Sequence, residues 1–233
     1  MTATDARATY SGPVVRVAGC TKGFTLAGQT VTALDDVSIE LSAGELVVLS
    51  GPSGSGKTTL LNVLVGWEHP DRGEVVWSLP TGSGNDDGRT PLAGPPSWDD
   101  LAIVPQRLGL LDDLSVAENA GLPLRVGGRT EPETVEAMLE LLGLHGVSDR
   151  GARELSLGQQ QRLSIARALV VGPRVVVADE PTGHQDDAST VLVVAALLHA
   201  RDTGSAVLVA THDPRVTEVA DRVIRLRDGR LVP

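Results

Sequence analysis

The chain has 233 residues, of which 41% are hydrophobic, and its formal net charge at pH 7 is −10. This length suits one large α/β domain or two small lobes, with a sizeable core, and the negative charge argues against nucleic acid or an anionic lipid surface as the main partner. Cys20 is the only cysteine, so no disulfide can form within the chain, and we interpret it as a small buried apolar residue.

The sequence predicts no membrane crossing. Residues 1–10 are polar and lack the apolar region of a secretory signal. The longest apolar run covers residues 191–198, which is too short to span a bilayer. We therefore expect no direct membrane span in this chain.

The first predicted elements are two β-strands. Residues 14–17 are rich in valine, and residues 37–41 alternate apolar and polar side chains, the pattern of a half-buried strand. Two such strands ahead of the next motif suggest an antiparallel sheet beside a parallel core. Phe24 lies between them and is either a core side chain or a ring on which a nucleotide base stacks.

A glycine-rich stretch follows at residues 51–59 and fits G-x-x-x-x-G-K-[ST], the pattern of a phosphate-binding loop. Its glycines permit positive-φ turns that bring backbone N–H groups close to an anion. Lys57 places a charge near the β- and γ-phosphates, and the Thr58 hydroxyl is suited to bind Mg²⁺. A buried strand is predicted at 45–49 and a helix from Thr59, which is the context that the motif requires. A chance match in a Gly/Ser turn is the alternative. The residues predicted to hold the phosphates are Gly51, Pro52, Ser53, Gly54, Ser55, Gly56, Lys57, Thr58 and Thr59.

The chain between residues 66 and 106 is predicted to contain two short strands and a loop. Strands are expected at 74–77 and 101–104. Residues 80–97 are rich in glycine and proline, so we expect a flexible surface loop there. Gln106 follows the second strand and is either a plain loop residue or a ligand, through its side-chain carbonyl, of Mg²⁺ or a catalytic water.

A helical region is predicted next. Residues 115–118 and 130–133 each fit the capping-box pattern that begins a helix. Ser156 suits the N-cap of a further helix, and a helix N-terminus with Ser and Gly is itself an anion site. Since residues 51–59 already supply a phosphate site, we expect the site near Ser156 to serve a second subunit.

Three polar residues are predicted at the ends of buried strands, where an open α/β sheet places its ligand crevice. Asp179 and Glu180 end the apolar run that begins at Val175. Asp179 suits a partner of Mg²⁺, and Glu180 suits a general base that acts on water. The alternative is that they begin the next helix. His212 follows the strand predicted at 206–210 and either senses a γ-phosphate or holds the attacking water, although a lone His is usually structural.

The order of these motifs resembles the ATPase subunits of ATP-binding-cassette (ABC) transporters over essentially residues 14–232. The resemblance rests on the P-loop, Gln106, LSLGQ at 155–159, VVVADE at 175–180 and His212. It implies an α/β fold: a P-loop NTPase (RecA-like) core with an antiparallel β subdomain and an inserted α-helical signature subdomain. The implied core covers about 14–106 and 171–233, and the implied helical subdomain about 107–170.

The resemblance also implies a role for each motif residue. Phe24 stacks on adenine, residues 51–59 are Walker A, and Gln106 is the Q-loop glutamine. Asp179 and Glu180 are the Mg²⁺ partner and the catalytic base, Asp186 is the D-loop aspartate, and His212 is the switch histidine. The signature residues, which contact the γ-phosphate of ATP held by the partner subunit, lie at Ser156, Leu157, Gly158 and Gln159. The implied ligands are ATP and Mg²⁺, with Thr58, Gln106 and Asp179 around the metal, and such ATPases close as head-to-tail dimers on two ATP molecules.

Within this class, residues 178–183, 109–124 and 227–230 look like the lipoprotein-release and macrolide-export branch. That branch implies an ATPase that powers an integral membrane permease from the cytoplasmic face. Two residues depart from the family pattern at the dimer interface: Leu157, where Gly is usual, and Gln185, where Leu is usual.

Three other functions are alternatives to a transporter ATPase. One is an ABC ATPase that regulates a membrane-bound cell-wall or division complex without transport. Another is a soluble ABC ATPase acting on chromosomes or ribosomes, disfavoured by the short interval between residues 59 and 155 and by the single cassette. The last is a small-molecule P-loop kinase, disfavoured by the signature helix.

Overall fold

The computed structural model describes residues 13–26, 28–79, 96–183 and 185–233. Within them the strands are β1 (Pro13–Leu26), β2 (Gln29–Ser42), β3 (Leu46–Ser50), β4 (Arg72–Trp77), β5 (Leu101–Val104), β6 (Val175–Asp179), β7 (Ala206–Ala210), β8 (Arg222–Arg227) and β9 (Arg230–Val232). The α-helices are α1 (Lys57–Leu64), α2 (Val116–Val126), α3 (Pro132–Leu141), α4 (Leu157–Leu169), α5 (Asp187–Asp202) and α6 (Pro214–Glu218). Short 3₁₀ turns cover His145–Val147 and Ala152–Glu154.

The strands form two sheets, as the sequence predicts. β2, β1 and β4 make a three-stranded antiparallel sheet in that order. The second sheet has the order β5-β6-β7-β3-β8-β9, in which all neighbours are parallel except the closing hairpin of β8 and β9. The predicted pairing of an antiparallel sheet with a parallel nucleotide-binding core is therefore confirmed.

The central strands β3, β6 and β7 are continuously apolar up to their last residues, as expected for a parallel sheet that is covered on both faces. Successive residues of β3 point to opposite faces. Val47 and Leu49 join one core with α1 and the antiparallel sheet. Leu46 and Val48 join a second core with the helices between β5 and β6 and with α5. This two-sided burial holds β3 rigidly where it delivers the chain into residues 51–59.

The helices between β5 and β6 begin at caps that the sequence largely predicts. Ser115 accepts a hydrogen bond from the backbone N–H of Glu118, whose carboxylate accepts from the N–H of Ser115, so the first predicted capping box is confirmed. The second, at residues 130–133, is wrong. Helix α3 begins at Pro132, and its N-cap Glu131 makes no capping bond to the backbone, because that carboxylate is taken by Arg129 and by the Thr134 hydroxyl.

The predicted loop at 80–97 lies mostly outside the described residues, which resume at Pro96. Ser97 is part of a turn in which its carbonyl accepts from the backbone N–H groups of Asp100 and Leu101. Across the described ranges, no helix combines the length and the apolar character needed to cross a bilayer.

Candidate active site

The site forms where three neighbouring parallel strands end. Ala210 at the end of β7 is in register with Leu49 on β3 and with Asp179 on β6. Parallel strands present their carboxyl ends at one edge of a sheet, so the segments that follow them emerge side by side. The phosphate-binding loop, the pair Asp179 and Glu180, and the pair Thr211 and His212 are thereby brought together.

The phosphate-binding loop packs tightly against two other segments of the fold. Gly56 is the N-cap of α1 with φ +104°, and a Cβ atom there would lie 2.3 Å from the Ala33 carbonyl oxygen. A Cβ atom at Gly51 would lie 2.1 Å from the carbonyl oxygen of Leu226. Glycine is therefore required at both positions for close approach of the backbone. The N-terminus of α1 presents its free N–H groups at this loop, which is an arrangement that binds phosphate.

Lys57 folds back across the loop. Its Nζ donates to the carbonyl oxygens of Gly51 and Pro52, at 2.7 Å and 3.0 Å. The Ser55 hydroxyl is buried in the same loop, and its oxygen has no hydrogen-bond partner among the described residues. The Lys57 ammonium group and the Ser55 hydroxyl therefore both lie in the loop where phosphate oxygens are expected to bind.

Thr58 and Asp179 link the loop to the end of β6. The Thr58 hydroxyl donates to Asp179 Oδ2 at 2.9 Å. Burial raises the pKa of the Asp179 carboxyl above its ordinary value, and the neighbouring Glu180 charge acts in the same direction. Gln106 is exposed and lines, together with Thr58 and Asp179, a cavity of about 230 Å³. A hydroxyl, an amide carbonyl and a carboxylate are oxygen donors of the kind that Mg²⁺ prefers, so these residues fit that ion.

Glu180 is held by contacts at both of its carboxylate oxygens. Oε1 lies 3.0 Å from His212 Nδ1, and Oε2 accepts from the Thr211 hydroxyl at 3.1 Å. Its backbone has φ +50°, an unusual conformation for a non-glycine residue that turns the chain sharply at the strand end. The hydrogen bond to Glu180 raises the pKa of His212 above its ordinary value. The expected base and the expected switch histidine are therefore direct neighbours.

Asp186 lies in the turn that leads from Glu180 into α5. It is the N-cap of that helix, and its carboxylate accepts from the Ser189 backbone N–H at 2.7 Å. This bond lowers the pKa of Asp186. The side-chain amide of Gln185 is buried, and neither its nitrogen nor its oxygen has a hydrogen-bond partner among the described residues. The turn expected to be the D-loop thus combines a firmly held aspartate with an amide that has no partner among the described residues.

The predicted signature residues lie at the N-terminus of α4. Ser156 accepts from the Gln159 N–H and Gln159 Oε1 accepts from the Ser156 N–H, so this capping box forms. Leu157 is 51% exposed. Within the described ranges, no hydrogen bond or ion pair joins residues 156–159 to residues 51–59. The chain does not by itself bring the signature residues into the phosphate site.

Phe24 lies near the end of β1, opposite Val31 on β2. Its ring is half-buried, so part of it is open to solvent. The ammonium group of Lys22 lies 5.3 Å from the ring centroid. The ring is therefore neither a core side chain nor a freely exposed one.

Two residues that hold the segment after Gln106 are not indicated by the sequence. Arg167 donates to the carbonyl oxygens of Leu108 and Gly109, both at 2.7 Å. Asn119 is fully buried and uses its amide to bond the backbone of Leu111. An asparagine within the helix that follows a capping box was the one available signal, whereas nothing near Arg167 indicates its partners.

Comparisons with known proteins agree with this arrangement. A family model described as "ABC transporter" matches residues 34–183. The lipoprotein-releasing system ATP-binding protein LolD of Granulibacter bethesdensis is 38% identical over 96% of this chain and 98% of that protein. LolD of Anaeromyxobacter dehalogenans is 40% identical over 94% of this chain and 93% of that protein.

Longer relatives and solved structures match as well. The macrolide export ATP-binding/permease protein MacB of Burkholderia pseudomallei is 38% identical over 95% of this chain, but the chain spans only 34% of the length of that protein. The dimeric structure of MJ0796, a bacterial ABC transporter cassette, superposes with a TM-score of 0.80 at 30% identity, over 94% of this chain and 97% of the other. A post-hydrolysis dimer of the same cassette, bound to ADP and Pi, has the same TM-score.

Proposed function

The chain belongs to the ABC transporter family, and on that basis we propose that it is an ATPase subunit that drives a separate integral membrane permease from the cytoplasmic face. The proposed work is export or lipoprotein release. This follows the names of the relatives, which are a lipoprotein-releasing ATP-binding protein and a macrolide exporter.

The observation that carries the proposal is the junction of the phosphate-binding loop with two strand ends. The Thr58 hydroxyl bonds Asp179, and Glu180 and His212 follow within the same cluster. The site therefore combines a phosphate cradle, oxygen donors for a metal and a carboxylate able to act as a base. That is the set of parts required to hydrolyse a nucleoside triphosphate.

In the proposed reaction the N–H groups of residues 51–59 and Lys57 hold the β- and γ-phosphates of ATP. Thr58, Gln106 and Asp179 would hold Mg²⁺, which when bound neutralises charge on the phosphate oxygens. Glu180 orients the attacking water and accepts its proton. Each carboxylate oxygen has one described contact, to Thr211 or to His212, and keeps a second lone pair that can accept from the water.

In this proposal His212 leaves Glu180 to reach the γ-phosphate. Its side chain is 84% exposed, whereas that of Glu180 is 23% exposed, so the histidine rather than the carboxylate has room to move. A protonated imidazole is an appropriate partner for a phosphate oxygen, and the negative charge of the phosphate would favour that form once His212 has left Glu180. Phe24 would stack on the adenine ring at the open part of its own ring.

A second copy of the chain would complete each site. The signature residues Ser156, Leu157, Gly158 and Gln159 stand apart from the phosphate loop of their own chain, at a helix N-terminus suited to an anion. A head-to-tail homodimer would place them on ATP held by the partner, with Asp186 at the interface. The dimeric state of the related MJ0796 cassette supports this arrangement.

The permease is proposed to dock on the segment from Gln106 to Val126. Arg167 and Asn119 hold its backbone firmly, so a movement at Gln106 is passed to the helices rather than absorbed. Leu111 is 46% exposed within this segment. A mainly apolar cavity of about 340 Å³ lies between α3 and α2, the helix that ends this segment. A cytoplasmic helix of a membrane protein is the expected occupant.

Two measurements test the proposal. The purified chain should hydrolyse ATP only with Mg²⁺. A photo-crosslinking residue at Leu111 should capture an integral membrane protein in cells, and the same residue at Val191, which is 63% exposed on α5, serves as the control. Capture of soluble proteins alone from Leu111 would contradict the permease. Capture of a membrane protein that moves no substrate when reconstituted with this ATPase would favour the regulatory alternative.

A further inference from the structure

We propose that Lys22 is a positioning residue for the nucleotide base, which fixes the ring of Phe24 at a set place relative to the phosphate-binding loop. The inference rests on the proposed stacking of adenine on Phe24 and adds a residue to that site. No motif in the sequence marks Lys22, and it is identified by its contacts alone.

The ammonium group of Lys22 is fixed against one side of the ring. It lies 5.3 Å from the ring centroid, within the range of a cation–π contact. The same Nζ donates to the His69 carbonyl oxygen at 2.8 Å and lies 3.3 Å from Glu68 Oε2. The side chain is only 14% exposed. One face of the ring therefore has a lysine across it, and the base would stack on the other.

Hydrogen bonds of Asp71 join the end of β1 to the turn at residues 68–71. Asp71 Oδ2 accepts from the Gly23 N–H at 2.7 Å, and the Asp71 N–H donates to the Thr21 carbonyl at 2.8 Å. The end of β1 is thus bonded to the turn at 68–71 on both sides of Lys22. These bonds fix the backbone from which the Lys22 and Phe24 side chains project.

The turn at residues 68–71 is also anchored to α1, the helix that follows the phosphate-binding loop. The backbone N–H groups of Trp67 and Glu68 both donate to the carbonyl of Asn62, at 2.9 Å and 3.1 Å. Asn62 belongs to α1, which begins at Lys57. A continuous series of contacts therefore runs from the phosphate site through this turn to Lys22 and the ring. It sets the separation between the place for the base and the place for the phosphates.

An ordinary surface ion pair is the competing explanation for Lys22. Such pairs contribute little to stability. The pair formed by Arg16 on β1 and Glu40 on β2 is of that kind, with both side chains about half exposed. Lys22 differs because it is largely buried and touches the ring itself.

The experiment compares ATP with inorganic triphosphate, which binds the phosphate loop but has no base. Lys22→Met should weaken binding of Mg-ATP about five- to tenfold, the scale of a partly desolvated cation–π contact. It should leave the affinity for Mg-triphosphate unchanged. Lys22→Arg should retain most of the ATP affinity, because it keeps the cation over the ring. Arg16→Met is the matched control and should change neither affinity.

Phe24→Ala separates this inference from the proposed function. In that background Lys22→Met should cause no further loss of ATP affinity, because there is no ring to position. If Phe24→Ala leaves ATP binding intact, the stacking role and this inference both fail. If Phe24→Ala weakens binding but Lys22→Met does not, or if Lys22→Met weakens ATP and triphosphate equally, only the role of Lys22 is overturned.

Discussion

His212 Nδ1 lies 3.0 Å from Glu180 Oε1, and this contact joins the ends of two adjacent parallel strands, β6 and β7. The proposed base and the proposed γ-phosphate sensor are therefore in direct contact with each other. Arrival of ATP would replace a contact within the protein by contacts to phosphate and water. The contact between Glu180 and His212 can therefore be tested by a measurement that does not require ATP hydrolysis.

The first prediction concerns the titration of His212. Since the bond to Glu180 raises its pKa, the imidazole should stay protonated to a higher pH than an ordinary histidine, and Glu180→Gln should lower that pKa toward the ordinary value. Imidazole ¹⁵N NMR across pH 5 to 9 measures both. Glu218→Gln, an exposed change on α6, should leave the titration unchanged.

The sign of the associated stability change follows from the same shift. The folded pKa is above the unfolded one, so the pair stabilises the fold fully below the unfolded pKa and loses that effect as pH rises through the folded pKa. The contribution is small because His212 is largely exposed. An unperturbed or lowered pKa of His212 would contradict the contact.

The second prediction concerns the chemical step. Glu180→Gln should retain ATP binding and lower turnover by about 10²-fold or more, the scale of losing a general base. Because hydrolysis is blocked, an ATP-bound dimer should accumulate, which size-exclusion chromatography with light scattering detects. Glu218→Gln should behave as the unchanged protein. Normal turnover in Glu180→Gln would mean that another group is the base.

The third prediction concerns the signature residues. Leu157 is half exposed at the start of α4, and its backbone N–H is present whatever the side chain. Leu157→Gly should therefore change ATPase activity by less than about tenfold. Gly158→Asp should be far worse, because it places bulk and negative charge where phosphate must lie. An acidic residue in the first turn favours the helix, so this loss should occur in a folded protein.

Two outcomes would contradict that account of the signature. A hundredfold rise in activity for Leu157→Gly would indicate a degenerate native site that needs a second, different ATPase subunit. An unchanged activity for Gly158→Asp would remove the trans-acting role of the helix.

The fourth prediction compares two glycines of the phosphate loop. Gly54 has φ +77°, but a Cβ atom there meets nothing within 4 Å, so Gly54→Ala should cost only the strain of a left-handed residue, about 1–2 kcal/mol. Gly56→Ala adds a clash with the Ala33 carbonyl, so its free energy of unfolding should fall further and ATP binding should be lost. Denaturant unfolding and ATP titration check this. Equal effects of the two changes would refute the close approach.

The fifth prediction concerns the loop expected at 80–97. Replacing residues 82–94 by a short Gly/Ser linker should change the melting temperature little, because long loops close at small entropic cost. Differential scanning calorimetry measures the change. A large loss of stability would show that the segment is packed against the fold.

Local features of the fold and the motifs of the site were predictable from the sequence. Continuous apolar runs predicted β3, β6 and β7, because strands buried on both faces need no polar alternation. The caps at Ser115 and Ser156 were predictable because a capping box acts over four consecutive residues. The P-loop pattern was readable for the same reason, since its chemistry lies within nine neighbouring positions.

Only the tertiary structure determined which distant residues meet. The strand order β6-β7-β3 brings Asp179, His212 and Thr58 together, although long stretches of chain separate them. It also placed the Ala33 and Leu226 carbonyls against Gly56 and Gly51, and assigned the Glu131 carboxylate to partners other than the helix backbone. Lys22 on β1 has no local signal, because His69 and Glu68, which bind its ammonium group, lie in the turn that follows α1. Such contacts depend on which apolar faces pack together, and that is a property of the whole chain rather than of any short pattern.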